Sequence, residues 1–242
     1  MNASSFQFKQ FTVKQERCAM KVGTDGVLLG AWVRINSDTR RILDVGSGTG
    51  LIALMMAQRC PEAEIDGVEL DPEAFEQGVE NFEQSPWELN LFNYHSSFQH
   101  FAEEIEEKYD LIISNPPFFN YGDRPESSRK MARDFSSLPI ESLVKGADKL
   151  LAKNGRLALI LPVDQEQHLL EIIRSYNFFP SQITKVRSTA QSPIKRILVE
   201  CSRGVPTSPT QTPHIEELII ECQRHQYTKE YRELVSEFYL KM

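Results

Sequence analysis

The sequence has few cysteines, and no two of them stand at the short spacing that zinc sites use. Its four cysteines are widely scattered along 242 residues, at Cys18, Cys60, Cys201 and Cys222. This pattern predicts neither a metal site nor a disulfide framework, and it favours a reducing compartment. We therefore expect a protein without a metal.

Long apolar runs are also absent. No stretch approaches the roughly 20 apolar residues that a membrane helix needs, and because residues 1–14 lack a long apolar run we expect no signal peptide there. We expect a soluble, cytoplasmic monomer with no membrane partner. The length suits one α/β domain spanning residues 1–242, with a short N-terminal capping segment at 1–40 and a core at 41–242.

An excess of positive charge is the third thing missing. The formal net charge of −7 argues mildly against a nucleic-acid partner, because phosphate binding normally depends on Lys and Arg. The basic residues nevertheless gather in three groups, and an RNA-binding interpretation requires them to share one face. The groups are Lys9, Lys14, Arg17 and Lys21; Arg124, Arg129, Lys130 and Arg133; and Lys185, Arg187, Lys195, Arg196 and Arg203.

Short β-branched runs alternate with helical patterns from Arg41 onward. The predicted strands are Ile42–Val45, Glu64–Leu70, Leu89–His95, Tyr109–Ser114, Arg156–Leu161, Gln182–Arg187 and Arg196–Cys201. The predicted helices are Leu51–Arg59, Pro72–Gln84, Ile140–Leu151, Gln165–Tyr176 and the tail, Tyr227–Leu240. This alternation predicts an α/β, doubly wound, mostly parallel seven-stranded sheet. In such a sheet, ligands bind beyond the carboxyl ends of the strands.

A glycine-rich turn follows the first of these strands, at Asp44-Val45-Gly46-Ser47-Gly48-Thr49-Gly50. Glycines allow a backbone to approach a ligand closely. The spacing is G-x-G-x-G, which differs from the G-x-G-x-x-G of dinucleotide sites. Asp44 would repel a pyrophosphate and is suited to a cationic amino group.

The next strand ends in Glu69-Leu70-Asp71, about twenty residues after the turn. A carboxylate at that position is suited to accept hydrogen bonds from both hydroxyls of a ribose. An acid at a strand end is usually only surface, but its distance from the glycine turn favours a binding role.

Together, Asp44 to Gly50 and Glu69 resemble the first two motifs of class I S-adenosylmethionine methyltransferases. The resemblance implies a Rossmann-like fold, S-adenosyl-L-methionine as cofactor, and cofactor contacts from Asp44, Gly46, Ser47, Gly48, Gly50, Glu69 and Leu70. That class commonly carries an aspartate after the third strand, which binds the adenine amino group. Here Ser97 and Phe98 occupy that place, so we expect Ser97 to hydrogen-bond the adenine and Phe98 to lie against its ring.

A second motif ends the strand at Tyr109–Ser114, where the chain continues as Asn115-Pro116-Pro117-Phe118. Two prolines make a rigid exit from the sheet, which leaves the Asn115 side chain and the Pro116 carbonyl as acceptors for a planar NH₂ group. Phe118 offers a ring for stacking. An isolated Pro-Pro more often only ends a strand in a turn. The glycine turn that follows an earlier strand of the same predicted sheet favours a binding role here.

Asn115 to Phe118 resembles the [DNS]-P-P-[FYW] motif of amino-methyltransferases. This implies that Asn115, Pro116 and Phe118 are catalytic, with Asn115 also near the cofactor, and that the amine displaces the sulfonium directly. The N-terminal string from Phe6 to Trp32, with the C-terminal Tyr231 to Leu240, resembles the bacterial tRNA (adenine-N6)-methyltransferases that act beside the anticodon of valine tRNA. Its helix, which we expect Thr24 or Asp25 to cap, would cover the cofactor, making Lys21 and Thr24 candidate contacts.

The resemblance implies a tRNA partner, and residues 120–138 are the candidate contact for it. This segment carries Arg124, Arg129, Lys130 and Arg133, and with Lys9, Lys14 and Arg17 it would form a basic rim around the pocket. Three alternatives remain open. They are a release-factor glutamine methyltransferase, which typically has Tyr in place of Phe118; a ribosomal guanine-N2 methyltransferase; and a non-catalytic RNA-binding module.

Overall fold

A computed structural model of the chain describes residues 4–117, 138–204 and 212–241. The strands are β1 (Ser5–Gln7), β2 (Thr12–Lys14), β3 (Arg41–Val45), β4 (Glu64–Glu69), β5 (Leu91–His95), β6 (Tyr109–Ser114), β7 (Leu151–Pro162), β8 (Phe178–Arg187), β9 (Ile194–Arg203), β10 (His214–Ile219), β11 (Glu221–Gln223) and β12 (Gln226–Tyr227). The helices are α1 (Thr24–Trp32), α2 (Leu51–Arg59), α3 (Pro72–Glu83), α4 (Phe98–Glu104), α5 (Ile140–Leu150), α6 (Glu166–Ser175) and α7 (Lys229–Val235).

Eight strands form one central sheet in the order β10-β8-β9-β7-β6-β3-β4-β5. Strand β9 runs antiparallel to both its neighbours, and the other adjacent pairs are parallel. The chain proceeds outward from β3 to β4 and β5 and then returns to place β6 on the other side of β3. The order therefore reverses at β3 and β6, and a doubly wound sheet binds its ligand at such a switch point.

Helices cover both faces of the sheet, which confirms the predicted fold class. Buried residues of α1, α2, α3 and α7 form one apolar cluster with one face. Buried residues of α4, α5 and α6 form a second cluster on the other face. No helix within residues 4–117, 138–204 and 212–241 is long and apolar enough to cross a membrane.

The predicted count of seven strands is wrong, because β10 adds an eighth, parallel to β8. This strand lies at the sheet edge, and four of its six residues are exposed. An edge strand with an acidic, exposed sequence lacks the buried apolar run by which strands are recognised. The tail helix is also shorter than predicted, since α7 covers only Lys229–Val235.

The predicted cap of the N-terminal helix is also wrong. Gly23 is the N-cap of α1, and no side chain makes a capping hydrogen bond there. The carboxylate of Asp25 instead accepts a hydrogen bond from Nε of Arg196, over 2.8 Å. This ion pair holds the start of α1 against the first residues of β9.

Candidate functional site

The turn after β3 is fixed to the end of the neighbouring strand β4. The backbone N–H groups of Gly46 and Ser47 both donate to the carbonyl of Val68, over 2.8 and 3.1 Å. Gly46 has a φ of +74° and Gly50 a φ of +76°, in the left-handed region that favours glycine. A Cβ on Gly46 would meet no atom within 4 Å, whereas one on Gly50 would lie 2.4 Å from Phe82.

Glu69 organises the same turn through its carboxylate. Its Oε2 accepts from the N–H of Gly48 over 2.8 Å. Its Oε1 accepts from the N–H groups of Leu70 and Asp71, each over 2.8 Å. A carboxylate offers about four lone-pair sites, so these three bonds leave roughly one of them, on Oε2, for a further donor.

Asp44 is buried beneath the turn, with one oxygen paired and one unpaired. Its Oδ2 accepts from the N–H of Ala53 over 3.1 Å, while Oδ1 is buried and has no hydrogen-bond partner among the described residues. Burial, with a smaller contribution from the negative charge of Glu69, raises the pKa of Asp44 to about 7. A cationic donor beside Oδ1 would satisfy that oxygen and favour the ionised form.

Asn93, on β5, supports the turn from the side, and the sequence reasoning missed it. Its Oδ1 accepts from the hydroxyl of Ser47 over 3.0 Å, and its Nδ2 donates to the carbonyl of Phe75 over 3.2 Å. Only glycine fits beside this amide, because a Cβ on Gly67 or Gly78 would lie within 2.7 Å of it. Those two glycines outside the turn were the available signal for a polar group packed closely beside it.

The second motif leaves β6 directly beside the turn. The buried hydroxyl of Ser114 donates to the carbonyl of Val45 over 2.7 Å, which joins the ends of β6 and β3. Asn115 is half-buried, and its Nδ2 lies 4.0 Å from the sulfur of Met20. Its Oδ1 forms no hydrogen bond within the described part of the chain. Pro116 is buried, and Phe118 lies outside the described residues.

The N-terminal segment runs from β2 to α1 across the same edge of the sheet. Asn81 anchors its start, because its Oδ1 accepts from the N–H of Lys14 and its Nδ2 donates to the carbonyls of Lys14 and Thr49. Further along, Cys18 is buried. Burial, together with the negative charges of Glu69 and Asp71, raises the pKa of the Cys18 thiol to about 12. The segment therefore runs along the site, from Asn81 of α3 at its start to Asn115, which lies beside Met20.

Not every predicted site residue lies where it was expected. The hydroxyl of Ser97 caps α4 and accepts from the N–H of His100 over 3.2 Å. Phe98 is buried in the core, where its ring would lie 2.3 Å from a Cβ on Gly146. A ring packed in this way has no free face for a purine. Leu70 is exposed beside Glu69, and Lys21 and Thr24 are exposed near the start of α1.

The predicted basic rim is only partly placed. Lys14 and Arg17 form ion pairs with Glu80, and Arg17 also pairs with Glu76, so their charges are already neutralised. Lys9 donates to the carbonyl of Ser236 over 2.6 Å. The loop at 120–138 falls outside the described residues except for Leu138. Within the described ranges, no group of three His, Cys, Asp or Glu residues is placed to hold a metal ion.

Comparison with known proteins identifies the family. The model of the methyltransferase small domain matches residues 23–179. A Christiangramia forsetii protein named tRNA1(Val) (adenine(37)-N6)-methyltransferase is 52% identical over 246 residues, with 100% of both chains covered. A protein of the same name from Flavobacterium johnsoniae is 48% identical, over 98% of this chain and 100% of the relative.

Solved structures agree at the level of the fold. A predicted O-methyltransferase from Agrobacterium tumefaciens superposes with a TM-score of 0.68 at 20% identity, covering 88% of this chain and 96% of that chain. An identity this low shows the fold alone, whereas the family follows from the sequence matches. The chain therefore belongs to the methyltransferase small domain family and, within it, to the tRNA1(Val) (adenine(37)-N6)-methyltransferases.

Proposed function

We propose that this protein transfers a methyl group from S-adenosylmethionine to N6 of adenine 37 in tRNA1(Val). The observation that carries the proposal is the joining of two motifs at the switch point of the sheet. The Ser114 hydroxyl holds the strand that leads to Asn115 against the strand that leads to the glycine turn. Relatives of the same length that carry this activity in their names support the choice of substrate.

The residues after β3 and β4 fit the cofactor. The unpaired, buried Oδ1 of Asp44 is suited to the positively charged amino group of its methionine part. The open space in front of Gly46 leaves room for its chain. The remaining acceptor position on Glu69 is suited to a ribose hydroxyl. We assign the cofactor contacts to these residues, together with Ser47, Gly48 and Gly50 of the turn.

The residues after β6 fit the amine that is methylated. When bound, S-adenosylmethionine supplies an electrophilic sulfonium methyl group. Oδ1 of Asn115 and the carbonyl of Pro116 accept the two hydrogens of the amine and thereby aim its lone pair at the methyl carbon. Positive charge would develop on this nitrogen as it takes the methyl group in place of sulfur, and both acceptors would stabilise that charge. Water then takes the proton from nitrogen.

In this proposal the protein acts as a monomer. It acts in the cytoplasm, because its tRNA substrate is present in that compartment. The four cysteines Cys18, Cys60, Cys201 and Cys222 all have free thiols, in accordance with a reducing compartment.

The test is methylation of an unmodified tRNA1(Val) transcript by the purified protein, followed by nucleoside mass spectrometry. We expect N6-methyladenosine in the wild-type transcript and none in a matched transcript that carries guanine at position 37. Methylation of the guanine transcript at the same level, or no methylation of either RNA, would overturn the assignment. Incubation with a release factor and with ribosomal RNA tests the other amine substrates directly.

A further inference from the structure

An open groove lies beside the C-terminal hairpin, away from the site described above. It has a volume of about 770 Å³, and its lining residues are Cys222, His225, Gln226, Tyr227, Arg232 and Lys241. The hairpin of β11 and β12 forms one wall, and α7 with the chain after it forms the other. None of these six described residues has an acidic side chain.

Two of the residues that line this groove carry a positive charge. Arg232 and Lys241 are exposed and form no ion pair within residues 4–117, 138–204 and 212–241. By contrast, Arg187 pairs with Glu217 and Arg196 pairs with Asp25. Two unpaired cations in one groove of a chain with a net charge of −7 indicate a local site for an anion.

The hairpin turn places polar and aromatic groups around these cations. His225 has a φ of +64°, a left-handed conformation that side chains other than glycine rarely adopt. Tyr227 is exposed on one side, and on the other its ring lies 5.2 Å from the ring of Tyr231. Imidazole, amide, guanidinium and ammonium groups all donate to phosphate oxygens, and an exposed phenol ring offers a face to a sugar or base.

The groove belongs to the edge of the sheet that carries the catalytic motif. Strand β10 has the same direction as β6, so its carboxyl end lies at the same edge as Asn115. The N–H of Glu221, the first residue of the hairpin, donates to the carbonyl of Ser188 just beyond β8. Strands β10 and β6 are four strand spacings apart, about 19 Å, which about six stacked nucleotides span at roughly 3.4 Å each.

We propose that this groove binds the phosphate backbone of the tRNA several nucleotides away from the adenine that is methylated, with Arg232 and Lys241 as the phosphate contacts. The inference rests on the proposed function. It explains how an acidic protein holds an RNA although Lys14 and Arg17 already form ion pairs with Glu80 of α3. Phosphate contacts of this kind fix the register of the RNA, and the pocket beside Asn115 selects the base.

The test uses the full chain with Arg232→Gln and Lys241→Gln together. Both side chains are exposed, so the double variant should fold and keep the wild-type affinity for S-adenosylmethionine. We expect the KM for tRNA1(Val) transcript to rise roughly tenfold or more with kcat nearly unchanged, and the slope of log affinity against log salt to fall by about two. The matched control is Lys153→Gln with Arg174→Gln, which removes the same charge near the amino ends of the strands.

The outcomes separate this inference from the proposed function. If the wild-type protein makes N6-methyladenosine and the Arg232/Lys241 variant has the same KM and salt slope, the groove is not the RNA contact. An equal loss in the Lys153/Arg174 control would also overturn it, because overall charge would then be the cause. If the wild-type protein does not methylate the transcript, the proposed function fails and this inference fails with it.

Discussion

The backbone N–H of Gly48 donates a hydrogen bond to Oε2 of Glu69 over 2.8 Å. This contact ties the glycine turn after β3 to the end of the adjacent strand β4. Since Oε1 of the same carboxylate accepts from the N–H groups of Leu70 and Asp71, Glu69 shapes both the turn after β3 and the connection after β4. The acid is therefore a structural part of the turn as well as a candidate ligand.

Replacement of Glu69 by alanine should weaken S-adenosylmethionine binding. The variant loses a charged acceptor, at a cost of about 2 kcal/mol or roughly thirtyfold in Kd. Isothermal titration of the purified protein measures this change. The control is Glu73→Ala, which removes an exposed acid from the first turn of α3. Equal Kd values for the Glu69 variant and the wild type would show that Glu69 does not contribute to the pocket.

Asp44 predicts a pH dependence of cofactor binding. Burial raises its pKa from the ordinary value of 3.8 to about 7, so below pH 7 the cofactor-free protein holds a proton there. A bound ammonium group favours the ionised carboxylate, and that proton must leave on binding. Affinity should therefore rise between pH 5.5 and 7.5, by at most about tenfold per pH unit for one proton.

The stability of the cofactor-free protein should change in the opposite direction. Because the folded state disfavours ionised Asp44, the contribution of this residue to stability is greatest below about pH 4 and falls as the pH rises toward 7. Asp44→Asn should remove both pH dependences, whereas Asp38→Asn, at an exposed position before β3, should keep them. Cofactor titrations and urea unfolding across this pH range measure the two effects. Wild-type binding that is flat over the range would contradict this role of Asp44.

Asn115 should matter for turnover much more than for cofactor binding. Its Oδ1 forms no hydrogen bond with another described residue, and in the proposed function it accepts from the amine more strongly as positive charge develops on nitrogen. Asn115→Ala should lower kcat roughly a hundredfold or more and leave the Kd of S-adenosylmethionine within about twofold. Single-turnover methylation of tRNA measures the rate, with Asn90→Ala as the control at the opposite edge of the sheet. If the Asn115→Ala variant has the turnover of the wild type, the Asn115 to Phe118 motif has no catalytic role and serves only as a turn.

Sequence patterns predicted the parts of this molecule that depend on local chemistry. The glycine turn, Glu69 and the Asn115-Pro116 exit all lie at the carboxyl ends of neighbouring strands, as the alternation of strands and helices indicated. Strand β10 was not predicted from the sequence, because an exposed edge strand has no apolar run. The role of Asn93 was not predicted, because its partner Ser47 is 46 positions away in the chain. Such contacts depend on the order of the strands in the sheet and not on spacing along the sequence.

Asn81 gives a prediction about stability. Its buried amide joins the backbone of Lys14 to the carbonyl of Thr49, and so joins the N-terminal segment to the glycine turn. Asn81→Ala leaves those backbone groups without their partner and should lower the free energy of unfolding by about 2 kcal/mol. Urea denaturation tests this, with Gln84→Ala, an exposed amide just after α3, as the control. Equal midpoints for the two variants would show that the segment is held by other contacts.

The last prediction separates two glycines of the turn that share a conformation. Gly46 and Gly50 both have φ values near +75°, so alanine at either position should cost about 1 kcal/mol in backbone strain. At Gly50 the added methyl group would also lie 2.4 Å from the ring of Phe82, while at Gly46 it would enter the open space assigned to the cofactor. Gly50→Ala should therefore be the less stable variant, and Phe82→Leu should recover part of that loss. Gly46→Ala should lose more cofactor affinity.

Thermal unfolding of the free proteins ranks the two variants by stability, and titration with S-adenosylmethionine ranks them by cofactor affinity. If both measurements rank the variants in the same order, the open space in front of Gly46 is not where the cofactor binds.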